Sequence, residues 1–531
     1  MQGRSRLRSV AGQNGPGVLG AASARCARVA GSSAAIVPVE MSGRIARPGG
    51  QLIAQAGADP VADPGIVDLY RSILAATLAF ARRQRLEIVL EIAMVGVYFA
   101  LRTIDAGGPV IGAWLVVAAI LAVVWPTSGL VLLAAIAPFN EGYSISRDVG
   151  SKTALAVAVL AGVAVRVVVD RKAWVRPRAP VLLAAALLVG TGLGLVISWQ
   201  RWGRNFAELA GEIWLQGVAT MLVVFIATVW VARRGQLRPL VVALAATTAA
   251  SIVSLVDFGG DAAIRGSAIG WMVVGQFNPD RLTGVIRSPT STAALIMVPA
   301  AVFIVAAIMA RDIRLRIGAA ILTLPLLVAA YLTYNRAVFL GLWVLAVVVG
   351  WRIRRWLGIA LLVGGFILGA LLLPGYLTLR GQAVGEQSQA APGQLIVASD
   401  RARLTAWAAA GRMFLDQPIM GQGYRAYRQL SVAFGDPDLN APHNEWLRFF
   451  AEGGLFVGLA GAGFALATSL SLMRRSGWLE TGILASFLAF CLAAAFNNPF
   501  LFNQVTIPAM ILAGTGTALA YRAEPESSAD G

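Results

Sequence analysis

The stretch APVLLAAALLVGTGLGLVIS, residues 179–198, runs for twenty residues without one charged side chain. A helix rising 1.5 Å per residue needs about 20 residues to cross the ~30 Å hydrocarbon core of a bilayer. Arg176 and Arg178 stand immediately before this run. The same pairing of an apolar run with a short basic cluster recurs from Leu86 to Tyr521. Hydrophobic residues make up 57% of the 531-residue chain and charged residues only 13%. A soluble protein carries about twice that charged fraction. The fold class is therefore all-α, a polytopic integral membrane protein.

The spans read as roughly 86–103, 109–125, 127–139, 152–169, 179–198, 213–232, 238–256, 289–310, 314–334, 336–351, 355–374, 446–472, 479–496 and 500–520, about fourteen helices. Basic clusters fall on every second connection: Arg82/Arg83/Arg85, Arg171/Lys172/Arg176/Arg178, Arg233/Arg234/Arg238, Arg311/Arg314/Arg316, Arg352/Arg354/Arg355 and Arg474/Arg475. The positive-inside rule makes those loops cytoplasmic, and both termini with them. The same dispersal explains the formal charge of +17 without invoking nucleic acid, since the arginines form no single patch. A multi-pass membrane location is expected.

Residues 1–80 are rich in Gly, Ala, Ser and Arg and lack a sustained apolar period, which predicts a disordered basic cytoplasmic tail. Met41 is an alternative start, and mass spectrometry of the native N-terminus decides it. The membrane domain is expected over 81–522, with a short cytoplasmic tail at 523–531. The other face carries the longer connections, 140–151, 199–212, 257–288 and 375–445. Within the last, 380–399 reads as flexible. Ser399-Asp400 then offers a helix start, and Leu404, Trp407, Gly411 and Phe414 recur at helical spacing until Pro418, which predicts an interfacial helix on the extracytoplasmic side.

The two cysteines, Cys26 and Cys491, lie in the tail and in an apolar run, so a structural disulfide is not expected. No Cys/His cluster suggests a zinc site, and no cofactor is expected. The chain has one histidine, His443, in the segment from Asn440 to Gly454. Asn440 as cap and Pro442 in the first turn would place His443 at the positive end of a helix dipole. That end favours a neutral imidazole, fit to act as a base, near N–H groups that hold phosphate. A packing or capping histidine is the plain alternative. Glu445, Arg448 and Glu452 share one helical face and read as an internally satisfied charged stripe. Arg287, Arg336 and Arg403 are the candidate anion-binding cations. Each has its own plain reading, as a loop residue, a snorkelling residue and an anchor of the interfacial helix.

At these residues the chain resembles the O-antigen ligase and O-antigen polymerase superfamily of bacterial envelope proteins. The resemblance rests on His443-Asn444 followed by Glu452-Gly453, on Arg403, Trp407, Pro418, Gly421 and Gly423, on Asn335-Arg336, and on Gly284 with Pro289-Thr290. Asn335 and Thr290 depart from the usual Ser and Asn. The resemblance implies metal-independent transfer of a glycan from a polyprenyl-pyrophosphate donor to a sugar hydroxyl on the extracytoplasmic side. The acceptor is another lipid-linked glycan or a lipid anchor. It implies His443 as base, with Arg336, Arg403, Arg287, Asn444 and Trp407 holding pyrophosphate or glycan. A lipid-linked oligosaccharide flippase, and glycan transfer to protein hydroxyls, are the competing readings.

Overall fold

The computed structural model describes residues 85–104, 106–139, 144–146, 149–169, 178–260, 281–286, 288–385, 392–437 and 441–521, of which 144–146, 149, 259–260, 372–385 and 392–400 are described by backbone alone. Both tail segments, residues 1–84 and 522–531, thus lie outside the described residues, as do Asn440 and Arg287. The chain begins with α1 (Arg85–Thr103), α2 (Gly108–Val124) and α3 (Pro126–Ile136). A short antiparallel hairpin, β1 (Ser144–Ser146) with β2 (Val149–Gly150), leads into α4 (Ser151–Val169). Next come α5 (Ala179–Trp202), α6 (Arg204–Trp214), α7 (Thr220–Arg233) and α8 (Arg238–Gly260). The second half holds α9 (Pro289–Met309), α10 (Ile313–Leu332), α11 (Arg336–Ile353), α12 (Arg355–Gly385) and α13 (Pro392–Asp416). A four-residue α14 (Tyr427–Leu430) precedes α15 (Glu445–Met473), α16 (Trp478–Phe496) and α17 (Asn503–Tyr521).

Among the described residues nine helical stretches are long and apolar enough to cross a membrane, and three shorter apolar helices accompany them. The chain is a multi-pass helical membrane protein. Fourteen spans of full length are not recovered. The stretches read as the second and third spans form helices of 17 and 11 residues. α1 carries Glu87, Glu91 and Arg102 within its 19 residues.

At the centre α7 lies against α17. Met221, Leu222 and Phe225 of α7 and Met510, Ile511 and Leu512 of α17 are all fully buried. A Cβ on Gly514 would stand 2.9 Å from the Phe225 carbonyl. Small residues give membrane helices this closeness, which replaces the hydrophobic drive that lipid removes.

One end of the bundle is basic. The guanidinium groups of Arg178, Arg233 and Arg474 lie 5.3, 5.5 and 5.3 Å from the ring of Tyr521. Nearby, Arg352 donates to the Leu472 carbonyl at 3.3 Å. At helix starts on this same side, Arg238 pairs with Glu87 and Glu91, each at 3.0 Å, and Ser128 donates to Glu87 at 3.1 Å. The first turns of α11 and α15 lie at the opposite end, where the candidate residues gather.

Three local readings change. Residues 204–214 are helix rather than loop: α6 continues through a π-helical turn, Leu215–Ala219, into α7, and the break falls at Gly203, whose φ is +81°. The helix expected to begin at Ser399-Asp400 begins at Pro392 instead. Proline's fixed φ and missing N–H suit the first helical turn, and no breaker follows until the helix ends at Asp416. Of the stretch expected to be flexible, 380–399, residues 380–385 and 392–399 are helical, and 386–391 lie outside the described residues. Finally, α15 is broken at Gly454, with φ +68° and ψ −165°.

Candidate functional site

The break in α15 organises the end opposite the basic one. Its freed backbone groups are taken by the chain just beyond α13. Gln422 N–H donates to the Ala451 carbonyl at 3.1 Å, Gly423 N–H to the Glu452 carbonyl at 2.9 Å, and Leu455 N–H to the Pro418 carbonyl at 2.7 Å. Backbone polar groups at membrane depth need such partners. Two glycines permit the contact. A Cβ on Gly421 would lie 2.3 Å from the Glu452 carbonyl oxygen, and one on Gly454 equally close to that of Ile419. Both residues adopt positive φ, the region glycine enters without steric cost. Pro418, Gly421 and Gly423 on one segment and Glu452-Gly453 on the other thus form two halves of one backbone interlock. These glycines are turn residues rather than a phosphate cradle.

Charge fixes the same joint. Arg448 pairs with Glu445 at 2.6 Å and lies 4.0 Å from Glu452. The three residues are 6%, 0% and 5% exposed, in that order, so the stripe is a buried ion triad. Glu452 also accepts the Tyr427 backbone N–H at 3.3 Å, which ties the helix to the loop. The Tyr424 ring packs in the same place, 5.8 Å from the Arg448 guanidinium.

His443 sits just outside α15, not in its first turn. The cap is Asn444, whose side-chain oxygen accepts the Leu447 N–H at 3.0 Å. Reaching that N–H requires Asn444 to be extended, at φ −152° and ψ 105°, so the helix starts at Glu445 and Pro442 lies two residues before the cap. His443 itself adopts φ +50°, a strained conformation for a residue with a Cβ. Its imidazole is half-buried. Burial first, then the positive charge of Arg403, lower its pKa from the usual 6.5, against the opposing pull of Asp436. Both causes favour the neutral ring, the form a base needs.

Arg403 and Trp407 project from α13. Ala406, Ala409, Ala410 and Met413 bury an adjoining stripe of that helix against Ala451 and Tyr427. This stripe, not the one through Leu404 and Gly411, packs on the protein, and Leu404 stays 62% exposed. Trp407 lies 6.1 Å ring to ring from Phe496, and its indole N–H is buried without a hydrogen-bond partner among the described residues.

Two residues here carry no signal in the sequence. Tyr427 donates its hydroxyl proton to Asp436 at 2.6 Å, deep in the protein. Burial and the Asp436 carboxylate both raise the Tyr427 pKa, so the phenol keeps that proton. No motif marks Asp436. Its role comes from contact across nine residues of chain.

Arg336 is placed by a different device. Tyr334 turns the chain with φ +47°, Asn335 caps α11 by accepting the Ala337 N–H at 3.0 Å, and Arg336 becomes the first helical residue. Arg281 braces the turn by donating to the Thr333 carbonyl at 3.1 and 2.9 Å. The structure thus brings Arg403 and Asp436 within electrostatic range of His443. It sets Trp407 one helical turn beyond Arg403 and Arg336 on the same end of the bundle. Among the described residues there is no cluster of three His, Cys, Asp or Glu side chains suited to a metal ion.

A polytopic membrane protein with a half-buried neutral histidine and two half-buried arginines at one end defines the class of site. Residues 319–462 match the family model described as O-antigen ligase. The matched stretch contains Arg336, Arg403, Trp407, His443 and Asn444, and supports the O-antigen ligase and polymerase superfamily. It likewise supports a role in cell-surface polysaccharide biosynthesis. No curated protein matches the chain.

Proposed function

We propose that this protein transfers a glycan from a polyprenyl-pyrophosphate donor to a sugar hydroxyl at the extracytoplasmic face of the bacterial inner membrane. One observation carries the reading: the family match over 319–462 encloses the lone histidine and two of the three candidate arginines. The acceptor oxygen attacks the anomeric carbon while His443 takes its proton. The glycosyl–oxygen bond breaks, and its electron pair leaves with the pyrophosphate. Arg403 and Arg336 stabilise the charge that develops there, with Arg287 as a third cation. A pyrophosphate is already a good leaving group, so guanidinium charge serves without a metal. Trp407 offers a flat apolar face to a sugar ring, and the Asn444 amide N–H₂ is left to meet the glycan, its oxygen being used in the cap.

A transport reading also finds one supporting feature, because lipid-oligosaccharide flippases favour broken helices. The break at Gly454 is such a feature, yet its free backbone groups are engaged by Pro418, Gln422 and Gly423. Reconstitution into liposomes with polyprenyl-linked repeat units separates the readings. Chain lengthening signals a polymerase, and transfer of whole glycan to a lipid core or protein a ligase. Flipping without transfer ends the enzyme reading. Lysine keeps the charge of arginine but loses its planar two-point fork, so Arg336→Lys and Arg403→Lys are both expected to slow transfer.

A further inference from the structure

Away from the outer end, a cavity of about 590 Å³ opens between α9, α10, α11 and α12, with an almost wholly apolar wall. That volume is in the ~300–1,000 Å³ range of small-molecule sites. Ala307, Ala320 and Ala346 hollow it out, while Ile308, Leu324 and Ile353 line its lipid-facing side and are themselves exposed. The cavity occupies the half of the bundle next to the basic loops. Arg316 donates at 3.1 Å to the carbonyl of Ala307, a wall residue. Ile353, another wall residue, is followed directly by Arg354 and Arg355. Arg311 and Arg314 belong to the same rim, and the one acid of these two loops, Asp312, is engaged in capping the Arg314 N–H at 2.8 Å.

We infer that this groove binds an anionic phospholipid of the inner leaflet, with an acyl chain in the hollow and the phosphate on the arginine rim. The wall chemistry calls for an aliphatic chain, because nothing in it rewards a polar one. The rim calls for a net negative headgroup. A zwitterionic lipid brings its own ammonium to a surface already crowded with cations. The prenyl tail of a donor anchored at the opposite face would bring no charge to it at all. The inference rests on the orientation read from the basic loops and not on the transfer reading, so its failure leaves that reading untouched.

The test uses the full-length protein in detergent, offered phosphatidylglycerol and phosphatidylcholine with identical acyl chains, and native mass spectrometry counts the lipid retained. Phosphatidylglycerol should be retained preferentially. Each arginine near a membrane surface contributes about a fivefold factor in affinity for anionic lipid, so Arg316→Gln with Arg354→Gln should weaken phosphatidylglycerol roughly 25-fold. Ala320→Trp fills the hollow and should abolish retention of the site's lipid. Equal retention of both lipids, unchanged affinity in the double variant, or displacement of phosphatidylglycerol by an uncharged prenyl alcohol at equal concentration overturns the inference. Should Ala320→Trp fail to fold, the arginine pair, both exposed, still decides.

Discussion

Two buried ion clusters stand at opposite ends of this bundle, and they are built differently. At the basic end Arg238 joins Glu87 and Glu91, and Ser128 completes the set, so three separate helices are stitched together. At the opposite end Glu445, Arg448 and Glu452 all belong to α15, and Glu452 reaches out to the backbone of the Tyr427 turn. The first cluster fixes how helices pack. The second fixes a joint between a broken helix and the loop that carries the candidate site. Both place two carboxylates around one arginine out of water. A buried ion pair is weak support for net stability, yet removing one partner strands the others at considerable cost. The difference lies in what each cluster holds in place, and activity rather than stability should expose it.

The largest effect is expected from the side chain that the outer joint presents. Loss of a positioned base costs roughly 10²- to 10⁴-fold in rate. His443→Ala should therefore nearly abolish transfer with Tm little changed. A variant that melts lower but turns over at the wild-type rate per folded molecule would reduce His443 to a packing residue.

Next come the two arginines. Arg448→Met and Arg238→Met each leave a pair of buried carboxylates uncompensated, and each should lose about 3–5 kcal/mol of stability. They should part company in assay. The Arg238 variant, rescued at low temperature, should keep its turnover per folded molecule, while the Arg448 variant should lose it as the Tyr427 turn loosens. Equal turnover in both would dissolve the contrast between the clusters.

A smaller effect is expected from pH. Burial and Arg403 lower the His443 pKa from 6.5, so the folded protein binds its proton less readily than the unfolded chain. Stability from this group is then complete above about pH 6.5 and is lost as pH falls from there through the folded pKa. Transfer should hold level across neutrality, and its acid limb should fall below 6.5, the usual imidazole value. A limb at or above that value is incompatible with the buried site. As His443 is the chain's one histidine, no other imidazole confuses the profile.

Much of this was legible in the chain, for physical reasons. Apolar length and basic loops report membrane spans directly, and the grouping of Arg178, Arg233 and Arg474 around Tyr521 follows the alternation read from those loops. Arg403, Trp407, Pro418, Gly421, Gly423 and His443 stood out as ordered motifs. The break at Gly454 did not, because the apolar period continues across it and a glycine's torsion leaves no mark in a sequence. α6 was hidden for another reason. Arg204, Glu208 and Glu212 make it polar on one side, and a polar stretch between spans reads as loop until Arg204 is seen paired with Glu208 at 2.6 Å. The Tyr427–Asp436 bond depends on contact that no local pattern encodes.

The smallest effect separates the two roles given to Asn444. Its side-chain oxygen caps α15 through the Leu447 N–H, and its amide group stands beside His443. Removing a cap of this type costs about 1 kcal/mol. Asn444→Ala should therefore lower Tm modestly, whatever else Asn444 does. Asn444→Asp keeps the capping oxygen and adds favourable charge at the positive end of the helix, so Tm should recover. Its carboxylate, however, has no N–H₂ to offer a sugar and repels a pyrophosphate. If Asn444 serves only the helix, both variants turn over normally per folded molecule. If it also meets the glycan, Asn444→Asp should be fully stable and slow, with the loss chiefly in KM. A stable Asn444→Asp at wild-type kcat/KM would confine Asn444 to the cap.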